Sequence, residues 1–124
     1  MKLFNEETPI YLQLRKHIEE LILEQVLKEE DSIPSLRMMA KDYSLNPITI
    51  SNALSALVDE GILYKKRGLG VYVAGDARRR IIDARRENFI RDQLVPCIER
   101  AKQLEITANE ITIRISNIYG GPSD

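Results

Sequence analysis

Between Asn46 and Gly61 the chain reads NPITISNALSALVDEG, and this stretch leaves few ways to fold. Asn46 can cap a helix by accepting backbone hydrogen bonds, and Pro47 fits the first helical position, where a missing N–H loses nothing. Gly61 suits the left-handed residue that stops a helix. Between them Ile50, Ala53, Leu54, Leu57 and Val58 recur at helical spacing and predict a core-facing stripe. The opposite face carries Thr49, Ser51, Asn52 and Ser55, all short, uncharged and able to donate and accept hydrogen bonds. A solvated face more often carries Lys and Glu. This one is made to lie against a polar partner.

The segments on either side say what kind of partner. Upstream, Ile33-Pro34-Ser35 is extended, because the residue before proline avoids helical angles. Ser35 then caps a short helix from Leu36 to about Tyr43, with Leu36, Met39, Ala40 and Tyr43 inward and Met38 and Met39 as core filler. Ser44-Leu45 turns tightly into the helix that Asn46 caps. Two short helices joined in this way, the second with a polar outer face, form a helix-turn-helix, and that second helix reads as a recognition helix for DNA. Downstream, Gly61–Arg67 and Val71–Ala74 read as strands around the glycine-containing turn Arg67-Gly68-Leu69-Gly70. A helix-turn-helix followed at once by a basic hairpin is a winged helix. Gly68-x-Gly70 is not a nucleotide-binding fingerprint, which needs a third glycine and a following helix.

Before this unit, Thr8 caps and Pro9 opens a long first helix whose Ile10, Leu14, Ile18, Leu21 and Ile22 share a core face, fraying by about Leu27. His17 lies beside that stripe, partly exposed. Gly75-Asp76 closes the domain. A second helical part follows from Ala77 to about Gln103, with Ile82, Phe89, Ile90, Leu94, Cys97, Ile98, Ala101 and Leu104 on one stripe. Pro96 kinks this helix or splits it. Arg78-Arg79-Arg80 is either a phosphate-facing patch or a solvated face. In the last element, Ile111, Ile113 and Ile115 alternate like a strand. Thr107-x-x-Glu110 is nevertheless a capping box, Ile106 and Ile111 have staple spacing, and Ile111, Ile115 and Ile118 share a helix face. A helix from Ala108 to Tyr119, ended by Gly120-Gly121-Pro122, is the expectation.

The predicted fold class is α+β: a winged helix-turn-helix over residues 1–76, then a two-helix tail over 77–124. Two appended helices bury little alone. Phe89, Ile90, Leu94, Ile98, Ile111, Ile115 and Ile118 therefore make sense as a dimerisation surface shared with a second copy. A symmetric dimer would set two recognition helices roughly 34 Å apart, one turn of B-DNA, to read a palindrome.

Charge tests this reading. The formal net charge is −1, and residues 1–76 hold nine Lys/Arg against twelve Asp/Glu. Placement must supply what the balance does not: Arg37, Lys65, Lys66 and Arg67 fall where DNA would lie, and Glu29-Glu30-Asp31 falls in a connection. One Cys and one His give no internal disulfide and no zinc site, and Cys97 reads as a packing residue. No apolar run approaches the ~20 residues of a membrane span, and MKLFNEE lacks signal-peptide features, so the expected location is the cytoplasm. No cofactor is expected. An enzyme is disfavoured, because no carboxylate pair stands in a recognisable setting. A winged-helix protein-interaction adaptor is the alternative that the acidic first domain favours.

PIYLQL, IPSLRMMAKDYSLNPITISNAL and VDEGILYKKRGLGVYVA together resemble the DNA-binding domain of the GntR family of bacterial transcription regulators. NPxT at the recognition helix, the RGxG wing and a two-helix tail resemble its YtrA subfamily. The resemblance implies a homodimeric repressor of a palindromic operator in double-stranded DNA, often governing transporter operons, and leaves open an unknown small-molecule effector. It carries DNA contact onto Arg37 at the second helix, onto Asn46, Ile48, Thr49, Ser51 and Asn52 at the recognition helix, and onto Arg67 and Gly68 at the wing; Ser35 and Lys66 beside them are further candidate contacts. Many members have arginines where this chain has Pro47 and Ser51. Direct readout then rests on Arg37, Thr49, Asn52 and on Ile48 against a thymine methyl. Related tails have glycine where Glu105 stands.

Overall fold

The computed structural model describes residues 4–120, which divide into two compact units between residues 84 and 85. In the first, Leu14, Ile18 and Ile22 recur every fourth residue, and all three are buried on α1 (Ile10–Leu23). Thr8 is not its cap. Pro9 holds that position and offers no side-chain bond, while the Gln13 amide donates to the Asn5 and Thr8 carbonyls at 2.8 Å each. The helix also stops before Leu27. Gln25 adopts φ +62°, and the N–H groups of Gln25 and Val26 close onto the Ile22 and Leu21 carbonyls at 3.1 and 2.9 Å. Such a stop usually carries glycine, so glutamine conceals it in the sequence.

Ser35 caps α2 (Leu36–Tyr43) as expected, accepting from the Met38 N–H. Only Met39 of this helix is buried, with Ala40 and Tyr43 half-buried. Met38 points away from that face and is exposed; it is not core filler. Leu36 lies on the inward face but a turn too early to reach the core, and it too is exposed. Asn46 caps α3 (Pro47–Asp59), and Gly61 at φ +77° ends it, its N–H and that of Ile62 returning to Val58 and Leu57 at 3.0 Å each. Ile50, Ala53, Leu54 and Leu57 are buried and Val58 half-buried. Each fully buried Leu or Ile contributes roughly 1.5–3 kcal/mol.

The hairpin pairs β1 (Leu63–Lys66) with β2 (Gly70–Val73), antiparallel from Leu63↔Val73 to Lys66↔Gly70. β1 is shorter at both ends than the pattern implies, and β2 begins and ends one residue earlier. The extended segment before α2 joins them: Ile33 N–H donates to the Val71 carbonyl at 2.8 Å, Val73 N–H to that of Asp31 at 2.9 Å. The loop between α1 and α2 thus becomes a third edge that braces the wing. The core gathers α1, Met39, α3, Ile33, Ile62, Leu63 and Val73 with Ala77 and Ile81 of α4 (Ala77–Phe89). Ile81, rather than Ile82, is the buried residue there. His17 is half-buried, edge-on to Phe4 and Tyr43 at 6.2 and 5.6 Å between ring centres.

In the second unit, Pro96 falls in the first turn of a separate α-helix. A π-helical segment, Ile90–Leu94, joins α4 to α5 (Val95–Gln103). Proline has no N–H to give and its ring crowds the carbonyl four residues back; one wide turn removes both conflicts. Glu105 takes φ +61°, a left-handed conformation that glycine adopts most readily. α6 (Ala108–Ile118) is a helix, and the capping box is complete: Glu110 N–H donates to Thr107 Oγ1 at 3.1 Å and Thr107 N–H to Glu110 Oε2 at 2.7 Å.

The Thr107 N–H holds the Glu110 carboxyl below the usual glutamate range, helped by the Thr107 side chain and Arg114. A depressed folded pKa means the cap contributes above the unfolded value and is lost as pH falls through the folded one. Carbon chemical shifts of residues 108–112 should therefore lose helical character on acidification below the ordinary glutamate range. The Glu110→Gln chain should lack that step, and identical profiles for the two would refute the assignment.

Candidate nucleic-acid interface

Along α3, Ile48, Asn52, Ser55 and Asp59 follow at three- and four-residue steps and form its outermost ridge. Ile48 is 69% exposed, and Asn52 and Ser55 are also exposed. Ser51 stands to one side of this ridge. With Ser32, Ser35 and Ser55 it lines a cleft of about 490 Å³ between α3 and the hairpin, which Lys65 and Tyr72 close from the far wall. Thr49 is half-buried. The polar face read from the sequence is thus two surfaces, a ridge and a cleft wall.

The two caps leave useful groups outward. Asn46 spends its carbonyl oxygen on the Ile48 N–H at 2.8 Å, and Ser35 spends its hydroxyl oxygen on Met38 N–H at 3.1 Å. Their donors, the Asn46 amide and the Ser35 hydroxyl, stay available at helix N-termini, where the positive dipole end favours anions. The other end of α3 carries Asp59 and Glu60, the latter ion-paired with Arg15 of α1. Such a helix favours a polyanion at its first turn and repels one at its last.

The cations divide in the same sense. Arg37 is exposed in the first turn of α2 and makes no ion pair or hydrogen bond among the described residues. Lys65, Lys66 and Arg67 lead to the hairpin tip, all exposed. Lys66 Nζ lies 4.3 Å from the Tyr72 ring centre, a placement that steadies the charge without neutralising it. Gly68 takes φ +76° at the third position of the turn that Leu69 N–H closes onto the Lys66 carbonyl at 2.9 Å. Tyr64 donates its hydroxyl to Glu30, whose carboxylate pushes the phenol pKa up.

The triple arginine after the wing behaves otherwise. Arg78 Nε donates to the Leu23 carbonyl at the end of α1, Arg79 pairs with Asp83 at 3.3 Å and Arg80 with Asp76 at 2.8 Å. These internal partners support the solvated-face reading of the run. Placement of charge therefore matters more here than its balance: Glu19, Glu60 and Asp76 are ion-paired within the fold, whereas Arg37 and the wing cations make no ion pair among the described residues.

Ser35 and Ser51 meet at the cleft; Arg37 and Ile48 occupy the first turns of α2 and α3, Asn46 caps α3 and Asn52 stands in its second turn; Lys66, Arg67 and Gly68 form the tip. Tyr72 and Leu69 belong to this surface and were not expected there, although an apolar residue between two turn glycines was a visible signal. In the second unit, Phe89, Ile90, Leu94, Ile98, Ile115 and Ile118 are exposed, from 37% to 82%, and Ile111 is half-buried. Cys97 is exposed and so is not packed within the chain. No cluster of metal-ligating side chains occurs among the described residues.

A polar-ridged helix, a neighbouring unpaired arginine and a basic hairpin define a winged-helix DNA-binding protein. Comparison with known proteins narrows this. Residues 10–73 match the model for bacterial regulatory proteins of the gntR family. The chain is 32% identical over 112 residues to the HTH-type transcriptional repressor YtrA of Bacillus subtilis (strain 168), covering 90% of this chain and 80% of that one. It is 32% identical over 118 residues to the uncharacterized HTH-type transcriptional regulator YhcF of the same organism, covering 95% and 96%. A GntR family transcriptional regulator from Listeria monocytogenes superposes with a TM-score of 0.68 at 31% identity, over 92% of this chain and 98% of that one. The DNA-binding domain of AraR in complex with operator ORX1 superposes with a TM-score of 0.55 at 27% identity, over 58% and 93%. The chain belongs to the gntR family of bacterial regulatory proteins and is a DNA-binding transcription regulator.

Arg37→Ala should weaken binding to a selected site by about 1–3 kcal/mol and relax preference at one base pair. Gel-shift titration against the site and single-base variants checks both, and an unchanged affinity and preference would make Arg37 structural.

Proposed function

We propose that this regulator is a homodimeric repressor that reads a palindromic operator in the cytoplasm. Residues 1–76 supply the DNA contacts and the tail the dimer contacts, although Ala77 and Ile81 also complete the first unit's core. The observation that carries the reading is the gathering of unpaired cations and free donors on the first turns of α2 and α3 and on the wing.

In this reading α3 enters the major groove by its N-terminal end. Asn52 offers its amide to a base edge, Ile48 meets a thymine methyl, and Thr49 contacts the flank from its half-buried position. Arg37 reaches a guanine or a phosphate. Asn46, Ser35 and Ser51 hold phosphates with hydroxyl and amide donors, and the cleft receives the sugar–phosphate strand that separates the two grooves. Lys66 and Arg67, presented by the Gly68 turn, meet the minor groove. The names of YtrA and of other relatives, such as the NagR repressor of Bacillus subtilis, support repression. The exposed apolar faces of α5 and α6 support a second copy as the tail's partner.

The test is a titration against duplexes selected from random sequence, repeated at several salt concentrations. Affinity should fall steeply and log-linearly with salt, and the selected sites should be two-fold symmetric. No binding to any duplex at low salt, with a protein partner recovered instead, would favour the adaptor.

Dimerisation has its own check. Ile98→Glu should convert the chain to a monomer in sedimentation and lower palindrome affinity at least tenfold, about 1.4 kcal/mol, with the first unit's melting unchanged. A dimeric Ile98→Glu chain with unaltered affinity would place the dimer contact elsewhere.

A further inference from the structure

Leu69 is no part of the core; it lines the cleft between α3 and the hairpin. It occupies the hairpin turn between Gly68 at φ +76° and Gly70 at φ +108°, and it is 69% exposed. It is absent from the apolar residues packed on the core, among which its strand neighbour Val71 is included. A Cβ added at either glycine would meet nothing within 4 Å, so the backbone is open on both sides of the leucine. Lys65, Lys66 and Arg67 precede it without ion pairs among the described residues, and Lys66 rests over Tyr72 at 4.3 Å.

An exposed leucine at the apex of a cationic hairpin is unfavourable in water and gains only if a partner desolvates it. The partner already drawn to this tip is the minor groove. Its walls are anionic phosphates that suit Lys66 and Arg67, while its floor and sugar edges are apolar enough to accept a branched aliphatic group. Apolar wedges placed there by other architectures part a base step and bend the duplex toward the major groove. The step that yields most readily is a pyrimidine–purine step, above all TA.

We propose that Leu69 is a specificity-determining wedge: carried by the wing into the minor groove, it partly unstacks a flexible base step and selects operators by deformability at positions that α3 does not touch. The inference rests on the DNA-binding reading of the wing. It deepens that reading in one respect. The cations fix where the wing lies, and the leucine makes the fit depend on sequence without a hydrogen bond.

The measurement uses the full chain and selected duplexes carrying 2-aminopurine at each position under the wing in turn. One position should brighten on binding, as a base that loses its stacking partner does. Leu69→Ala should abolish that rise and weaken binding three- to tenfold. It should leave the salt slope unchanged, because no phosphate contact is lost. Leu69→Met, still apolar and long, should keep most of the signal. Replacing the TA or CA step under the wing by AA should penalise the wild type and be nearly neutral for Leu69→Ala. Tight, salt-dependent binding with no fluorescence rise at any wing position, or with the same step preference in Leu69→Ala, would overturn the wedge and leave the DNA-binding reading standing. Absence of duplex binding altogether would instead overturn the reading on which it rests.

Discussion

Everything in the first unit depends on α3 being held by its apolar side while its other side stays uncommitted. Ile50, Ala53, Leu54 and Leu57 are locked in the core with Leu14, Ile18 and Ile22 of α1, and the Arg15–Glu60 ion pair ties the far end of α3 to α1. The stops at both ends of the helix fix its length, Asn46 by a side-chain bond and Gly61 by a left-handed residue. A recognition surface must not rearrange on binding. Here the rigidity comes from the core, and Ile48, Asn52 and Ser55 add nothing to it.

The wing is braced by a different device. A two-stranded hairpin alone is marginal in water. This one gains a third edge from residues 30–33 and is pinned through Tyr64 to Glu30. The same loop begins at the concealed stop of α1 and ends at the Ser35 cap of α2. Three features that look separate in the sequence (a glutamine stop, an extended proline segment and a basic hairpin) therefore form one support for the cations. Glu19, Glu60 and Asp76 pair with arginines away from that face. A regulator with a formal net charge of −1 can still present a cationic face, because attraction to DNA depends on where the unpaired charges lie.

Much of this was legible in the residues, for physical reasons that also explain the failures. Caps are local: Asn46, Ser35 and the Thr107–Glu110 box each need only a few neighbouring residues, and each formed as read. The helical reading of residues 108–119 prevailed over isoleucine alternation for the same reason. Stops made by non-glycine residues, at Gln25 and Glu105, carry no such local mark. Exposure of Leu36 and Met38 depends on which turn of α2 reaches the core, which periodicity alone does not encode. Arg78, Arg79 and Arg80 were ambiguous because their partners, Leu23, Asp83 and Asp76, differ in element and distance along the chain. The division of the polar face into ridge and cleft required the hairpin to be in place. Pro96 announced a disturbance but not its form, a π-helical turn.

The central claim is that two copies of this surface engage one duplex, each with α3 in the major groove and the wing in the adjoining minor groove. A hydroxyl-radical footprint of the full chain on a selected site tests it most directly. The account predicts two symmetric sets of protections whose centres lie about 10 base pairs apart, one helical turn, with the minor groove protected on the outer side of each. A single asymmetric patch, or protection without any in the minor groove, would contradict it.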